Sequence, residues 1–136
     1  MEYKFLFRGK ITNDPNYGNN EILGKWAYGS LVLQENIGPV IYEQSPISGR
    51  YHVYGVDEKT IGQCSGLFDT NGNLIFEGDL LKFTGQGNEY VPLFVVNYCT
   101  KSLRWQLDSL DGEYHFNILN QDFLGLFFEI EQRLIL

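Results

Sequence analysis

The sequence predicts an all-β or mostly β chain, with short strands in a barrel or sandwich and at most short helices. Three observations predict it. Period-two alternation of apolar and polar residues recurs along the chain, while helical periodicity is almost absent. Ten Phe, nine Tyr and two Trp make 15% of the residues aromatic, and such side chains suit pleated, half-buried strands. Fifteen Gly punctuate the alternating runs at short intervals, as turns between short strands require. An SH3-like barrel with an additional small β lobe is one form this class can take.

The elements run in order along the chain. Tyr3, Phe5 and Phe7 alternate with Lys4 and Arg8, an opening strand. NDPNYGNN (13–20) is a polar loop, and KWAYGSLVLQ begins the next strand with Trp26 and Tyr28. Ile37-Gly38-Pro39 and SPISG (45–49) read as turns. RYHVYGV places Tyr51 and Val53 on one face and His52, Tyr54 and Val56 on the other. One helical turn is expected around 57–60. The runs NLIFE, DLLKF, YVPLFVVNY, SLRWQL, EYHFNIL and LFFEIEQRLIL complete the strands. Pro92 inside its run indicates an edge or a bulge. A second helical turn is expected around 120–124. Asn71-Gly72, Gln86-Gly87 and Asp111-Gly112 read as hairpin tips, because Asn and Gly tolerate positive φ. The chain is read as one β domain over residues 1–136, with a soft division near 85–88 into two lobes.

Bulk properties bound the function. A chain of 136 residues that is 43% hydrophobic can bury a real core. A formal net charge of −7 repels phosphate, so nucleic acid is a disfavoured partner. The 17 acidic residues are spread out and offset by ten basic ones, which argues against a DNA mimic. The opening MEYKFLFRGK is too short in apolar residues for a secretory signal. No segment approaches the roughly 20 apolar residues of a membrane helix. A cytoplasmic setting is expected.

Several stretches invite a chemical reading. GQCSG (62–66) fits the nucleophile-elbow pattern around Cys64, but an elbow sits between a strand and a helix. Gly66 leads instead into LFDTNGNLIF, which has hairpin chemistry. Gly62 and Gly66 are therefore read as bends or close backbone approaches, and Cys64 as a small apolar residue. DTNGN (69–73) resembles the start of a calcium loop, yet the sixth and twelfth positions are Leu74 and Leu80. The better reading is an Asx-type turn closed by Asp69. His52, His115, Cys64 and Cys99 lack the paired spacing of structural zinc, so no metal and no cofactor is expected. Gly85 and Gly87 make a G-x-G, but position 90 is Tyr and no phosphate-loop Lys comes after it. Glu77 and Asp79 flank Gly78. Acid–base work is one reading, and a turn with Asp79 as its cap is the preferred one. Exposed aromatics could stack on a ligand, but alternation alone does not say which face is wet.

The stretch TIGQCSGLFDTNGNLIFEGDLLKF strongly resembles the signature of the YopX family, small proteins of phages and prophages. Thr60, Gly62, Gln63, Ser65, Gly66, Leu67, Asp69, Asn71, Gly72, Ile75, Phe76, Glu77, Gly78, Asp79 and Lys82 carry the match. YKFLFRGK and GKWAYGSLV are similar to the family's opening strands, so the resemblance covers mainly residues 1–85. The chain ends in FFEIEQRLIL and lacks the G-N-x-[YH]-[DE]-N-P-E-L-[LI] tail in which family members often end. The resemblance implies a mostly β fold, a mobile-element origin in a bacterial host and a cytoplasmic setting. It carries no catalytic, metal or cofactor residues. The expected role is a non-catalytic module that binds a protein partner or self-associates into a homo-oligomer. The alternative is a small-molecule-binding or enzymatic barrel.

Overall fold

The computed structural model describes residues 6–15, 17–85, 91–117, 125 and 128–133. Eleven strands succeed one another: β1 (Phe7–Asn13), β2 (Trp26–Gln34), β3 (Gly38–Gln44), β4 (Tyr51–Val56), β5 (Gly62–Phe68), β6 (Leu74–Phe76), β7 (Asp79–Phe83), β8 (Phe94–Cys99), β9 (Arg104–Ser109), β10 (His115–Asn117) and β11 (Phe128–Arg133). The mostly β class predicted from the sequence is the observed one. The chain forms two compact units that meet in sequence between Gln63 and Cys64. The expected soft division near 85–88 falls largely outside the described residues, as do the Gln86-Gly87 tip and the helical turn at 120–124.

The first unit is a closed four-stranded barrel. β1 pairs with β2 through Phe7–Lys10 and with β4 through Ile11 and Asn13. β2–β3 and β3–β4 complete the ring, all antiparallel. Ile11, Ala27, Ile41 and Val56 fill its core, with Ile22, Leu31, Tyr54 and Ile61 packed against them. Closure needs β2 to leave β3 and join β1, and the change falls at Gly29-Ser30. A Cβ on Gly29 would run into the Tyr42 carbonyl, so only glycine lets the two backbones cross there. Arg8, on the polar side of the alternating opening run, is nevertheless buried. Its guanidinium lies 4.3 Å from the centre of the Trp26 ring, a cation–π contact.

The helical turn expected around 57–60 is a 3-10 turn, Glu58–Thr60, capped by the Asp57 side chain accepting from the Lys59 N–H. A further 3-10 turn, Asn20–Ile22, ends the polar loop. Two local readings need correction. Gly38 and Pro39 begin β3, and the turn before them is 35–37, so β3 is a strand that the predicted set lacks. Pro92 precedes β8 and lies in no strand.

β5 crosses the division in sequence. Gly62 and Gln63 pair with β1, and Cys64 and Phe68 pair with β6. The second unit also holds a five-stranded sheet in the order β10-β9-β8-β7-β11. Ile75, Leu81, Phe94, Val96, Leu107 and Phe128 form its core. Ile75, Leu81, Val96 and Leu107 are fully buried, each contributing about 1.5–3 kcal/mol of apolar transfer. Phe94 and Phe128 meet edge to face at 5.8 Å.

Candidate functional site

The residues that carry the signature chemistry in the sequence are occupied in holding turns. GQCSG is strand β5, not a strand-to-helix elbow, and Cys64 is buried in it opposite Phe76. Gly66 has φ 80° where the β5–β6 register shifts, and its N–H points to the Cys64 Sγ at 3.4 Å. Asp69 closes the next turn. Its Oδ1 accepts from the N–H of Asn71 at 2.9 Å and of Asn73 at 2.8 Å. Its Oδ2 accepts from the Ile130 N–H at 3.0 Å, tying the turn to β11. Asp79 is fully buried, and its Oδ2 accepts from the Phe76 N–H at 2.8 Å across the bend. Gly78, between Glu77 and Asp79, has φ 90° and donates its N–H to the Val96 carbonyl. Both Asp69 and Asp79 thus act as the turn acceptors that the sequence indicates.

His52 and His115 lie in different units, and both cysteines are thiols. Among the described residues no three His, Cys, Asp or Glu side chains are grouped to hold a metal ion.

One polar cluster lies on the exposed face of the second sheet. The Asp108 carboxylate accepts from Asn97 Nδ2 at 2.7 Å and Gln106 Nε2 at 2.9 Å, and contacts His115 Nδ1 at 2.6 Å. Burial pushes its carboxyl up, but the bonds from Asn97, His115 and Gln106 outweigh this and hold it below the usual range. An Asp–His contact alone is not a nucleophilic triad, which needs a nucleophile on the imidazole as well. Asp108 faces Val95, four residues along β8 from Cys99, which separates the thiol by about 13 Å along the strand. Hydrogen bonding to Ser102, then to the Lys101 backbone, lowers the Cys99 thiol all the same. The cluster is laid out as a surface network, and among the described residues no nucleophile is bonded to the imidazole.

Two concave features among the described residues lie on the barrel. Alternation in β3 and β4, registered Gln44↔Tyr51, Glu43↔His52 and Tyr42↔Val53, sorts the side chains. Tyr42, Gln44 and Tyr51 point outward. Glu43, His52 and Tyr54 share the inward face with Ile41 and Val56, at the end of the barrel where β3 outruns β2. The outer groove has a volume of about 560 Å³ and is lined by Tyr28, Gly29, Ser30, Tyr42, Gln44 and Tyr51, among others. The second concavity, about 490 Å³, is lined by Tyr28, Glu43, Gln44, Ser45, Pro46, His52 and Tyr54. The two share Tyr28, Gln44, Ser45 and Pro46, so they adjoin.

The walls are fixed locally. Glu43 Oε1 accepts from the Tyr28 N–H at 2.9 Å, holding β2 against the end of β3. Ser45 Oγ accepts from Ile47 and Ser48 and sets the 45–49 turn. His52 and Tyr54 stack with their rings 6.1 Å apart and 12° from parallel. The polar loop adds Tyr17, whose ring lies 5.6 Å from His52. Asp14 fixes that loop by accepting from the N–H of Tyr17 and of Asn19. The Tyr54 hydroxyl is pushed up, first by burial and then by the carboxylates of Glu43 and Asp14. An aromatic surface under negative potential results.

No motif in the sequence marks any of these wall residues as a site. The usable signal is the tyrosine density of KWAYGSLV and RYHVYGV. The strand that brings Tyr42 and Glu43 between them reads as turn and loop in the sequence.

The fold and the turn chemistry define a β protein built around the 60–82 signature. A family model described as YopX protein matches residues 16–126, and the chain belongs to the YopX family. The match begins after β1 and continues well past residue 85, so the likeness is displaced from the 1–85 span read in the sequence. No curated protein and no solved structure matches the chain significantly. No described helix is long and apolar enough to cross a membrane.

Proposed function

We propose that the chain is a non-catalytic binding module whose barrel holds an extended segment of a protein partner along the tyrosine-lined groove. One observation carries the reading. Two adjoining concavities share a wall of Tyr28, Gln44, Ser45 and Pro46, with Tyr42 and Tyr51 on one side and His52 and Tyr54 on the other. Tyrosine offers a large, rigid contact area with a polar tip, a combination favoured where proteins meet. Shallow aromatic grooves suit extended peptides better than compact metabolites, which favour deep enclosed pockets. An origin in a phage or prophage and a cytoplasmic setting in a bacterial host fit this role and belong to the same proposal.

The test is selection of binders from a random peptide library against the whole protein. Tyr51 is 59% exposed, so Tyr51→Ser leaves the fold intact, and Tyr42→Ser extends the test to the groove floor. Selected peptides should lose at least about tenfold in affinity for either variant, the scale of one hot-spot side chain. Peptides that bind both variants as well as wild type would refute the groove. A hydrolytic or transfer activity that survives both substitutions would favour the enzymatic alternative.

A further inference from the structure

We infer that the concavity of Glu43, His52 and Tyr54 is a cation subsite that takes the guanidinium of an arginine side chain from the bound partner. The inference rests on the groove reading above and gives its ligand a chemistry.

The geometry supplies three elements of guanidinium recognition at one place. The first is a flat π surface. His52 and Tyr54 lie 12° from parallel, and the Tyr17 ring lies 5.6 Å from His52. A planar guanidinium stacks on such a surface, whereas a compact ammonium gains less from it. The second is a carboxylate. Glu43 is the one charged side chain among the residues lining this concavity. Its Oε1 is held by the Tyr28 N–H, which fixes the carboxylate's orientation. Its Oε2 makes no hydrogen bond among the described residues and is the acceptor on offer. The third is a field of the right sign. Asp14 adds a second carboxylate close enough to act on the Tyr54 hydroxyl. Arg50, in the turn between β3 and β4, is exposed and forms no ion pair with Glu43 among the described residues. The carboxylate therefore has no internal cation among them.

The placement also explains why two concavities adjoin. An extended segment lying on Tyr28, Tyr42 and Tyr51 passes the shared wall of Gln44, Ser45 and Pro46. A long side chain from it can then reach the inward-facing Glu43 and His52. The tyrosines supply contact area, and the charged subsite supplies selectivity for one residue type.

The experiment uses the whole protein and two small probes, N-acetyl-arginine methylamide and its neutral citrulline counterpart, monitored by NMR. Arginine should shift the His52 and Tyr54 ring signals saturably, and citrulline should bind about tenfold more weakly. Glu43→Gln keeps an oxygen for the Tyr28 N–H and removes only the charge, so it should erase the difference between the probes without altering the melting temperature. Equal binding of both probes to wild type would overturn the inference. So would arginine shifts that bypass His52 and Tyr54. Library peptides that need Tyr42 and Tyr51 but show no enrichment of arginine would also overturn it, while leaving the groove reading standing. Arginine-rich peptides lost on both Tyr51→Ser and Glu43→Gln would support the two together.

Discussion

The signature turns of the second unit and the concavity of the first use their polar residues differently. In the second unit the acidic residues of the signature turn inward to the backbone. Asp69 accepts three N–H groups and Asp79 accepts the Phe76 N–H, and both are buried. In the first unit the end of the barrel leaves Glu43, His52 and a set of tyrosines facing a concavity. The family signature and the proposed binding surface are thus different parts of the molecule. The signature is a set of turn fasteners, because a buried carboxylate that satisfies several backbone donors is hard to replace. Among the described residues the groove holds no such fastener, and it is open to solvent.

The sharpest break of this comparison comes from removing a fastener. Asp69→Ala leaves the N–H groups of Asn71, Asn73 and Ile130 without their acceptor. Each loss costs about 1 kcal/mol, for a total of about 3 kcal/mol, or about 10 °C in Tm. Asp79→Ala, at a fully buried position, should cost about 2–3 kcal/mol. Thermal melts of both variants against Tyr51→Ser check the contrast. The groove variant should fall within about 0.5 kcal/mol of wild type. If the Asp variants were as stable as wild type, the signature would need a functional explanation.

Glycine and cysteine give the next step down. Gly78 has φ 90°, where a β-branched side chain is strained, so Gly78→Val should cost about 2 kcal/mol. Cys64→Ala removes one buried sulfur and should cost about 1–2 kcal/mol, with binding unchanged. A Cys64→Ala protein that melts like wild type but loses an assayed transfer reaction would restore the nucleophile.

Local chemistry explains what is legible in the sequence. Asp69, Asn71, Gly72, Gly78 and Asp79 shape turns within a few residues of themselves, so their spacing announces those roles, while the bonds of Asp69 to Ile130 and of Gly78 to Val96 are non-local. The proposed binding surface is hidden for two reasons. Gly38-Pro39 looks like a turn, which conceals β3 and with it Tyr42 and Glu43. Alternation shows that His52, Tyr54 and Val56 share a face, but only the pairing of Glu43 with His52 and the burial of Val56 show that this face turns into the barrel. Such register between strands is non-local, and no short motif records it. Arg8 is concealed for the same reason, since its cation–π partner Trp26 comes from the next strand.

The smallest effect concerns a carboxylate on the exposed face of the second sheet, bonded to side chains rather than to backbone. Asp108 is held below the usual carboxylate range by its bonds from Asn97, His115 and Gln106, which outweigh burial. An acid whose folded pKa is depressed binds its proton more readily in the unfolded chain. Its contribution is complete above the unfolded-state value, near pH 4, and is lost as pH falls through the lower folded-state value. Wild type should therefore lose stability towards acid slightly more steeply than Asp108→Asn. His115 is 61% exposed in this pair, so screening by water keeps the difference below about 1 kcal/mol. Melts of the two proteins from about pH 7 down to about pH 3 read it directly. Their Tm gap should be widest near neutrality and close on the acid side. A gap that stays constant with pH would mean that Asp108 acts by shape alone, and the cluster on β8, β9 and β10 would then be a packing feature with no electrostatic part.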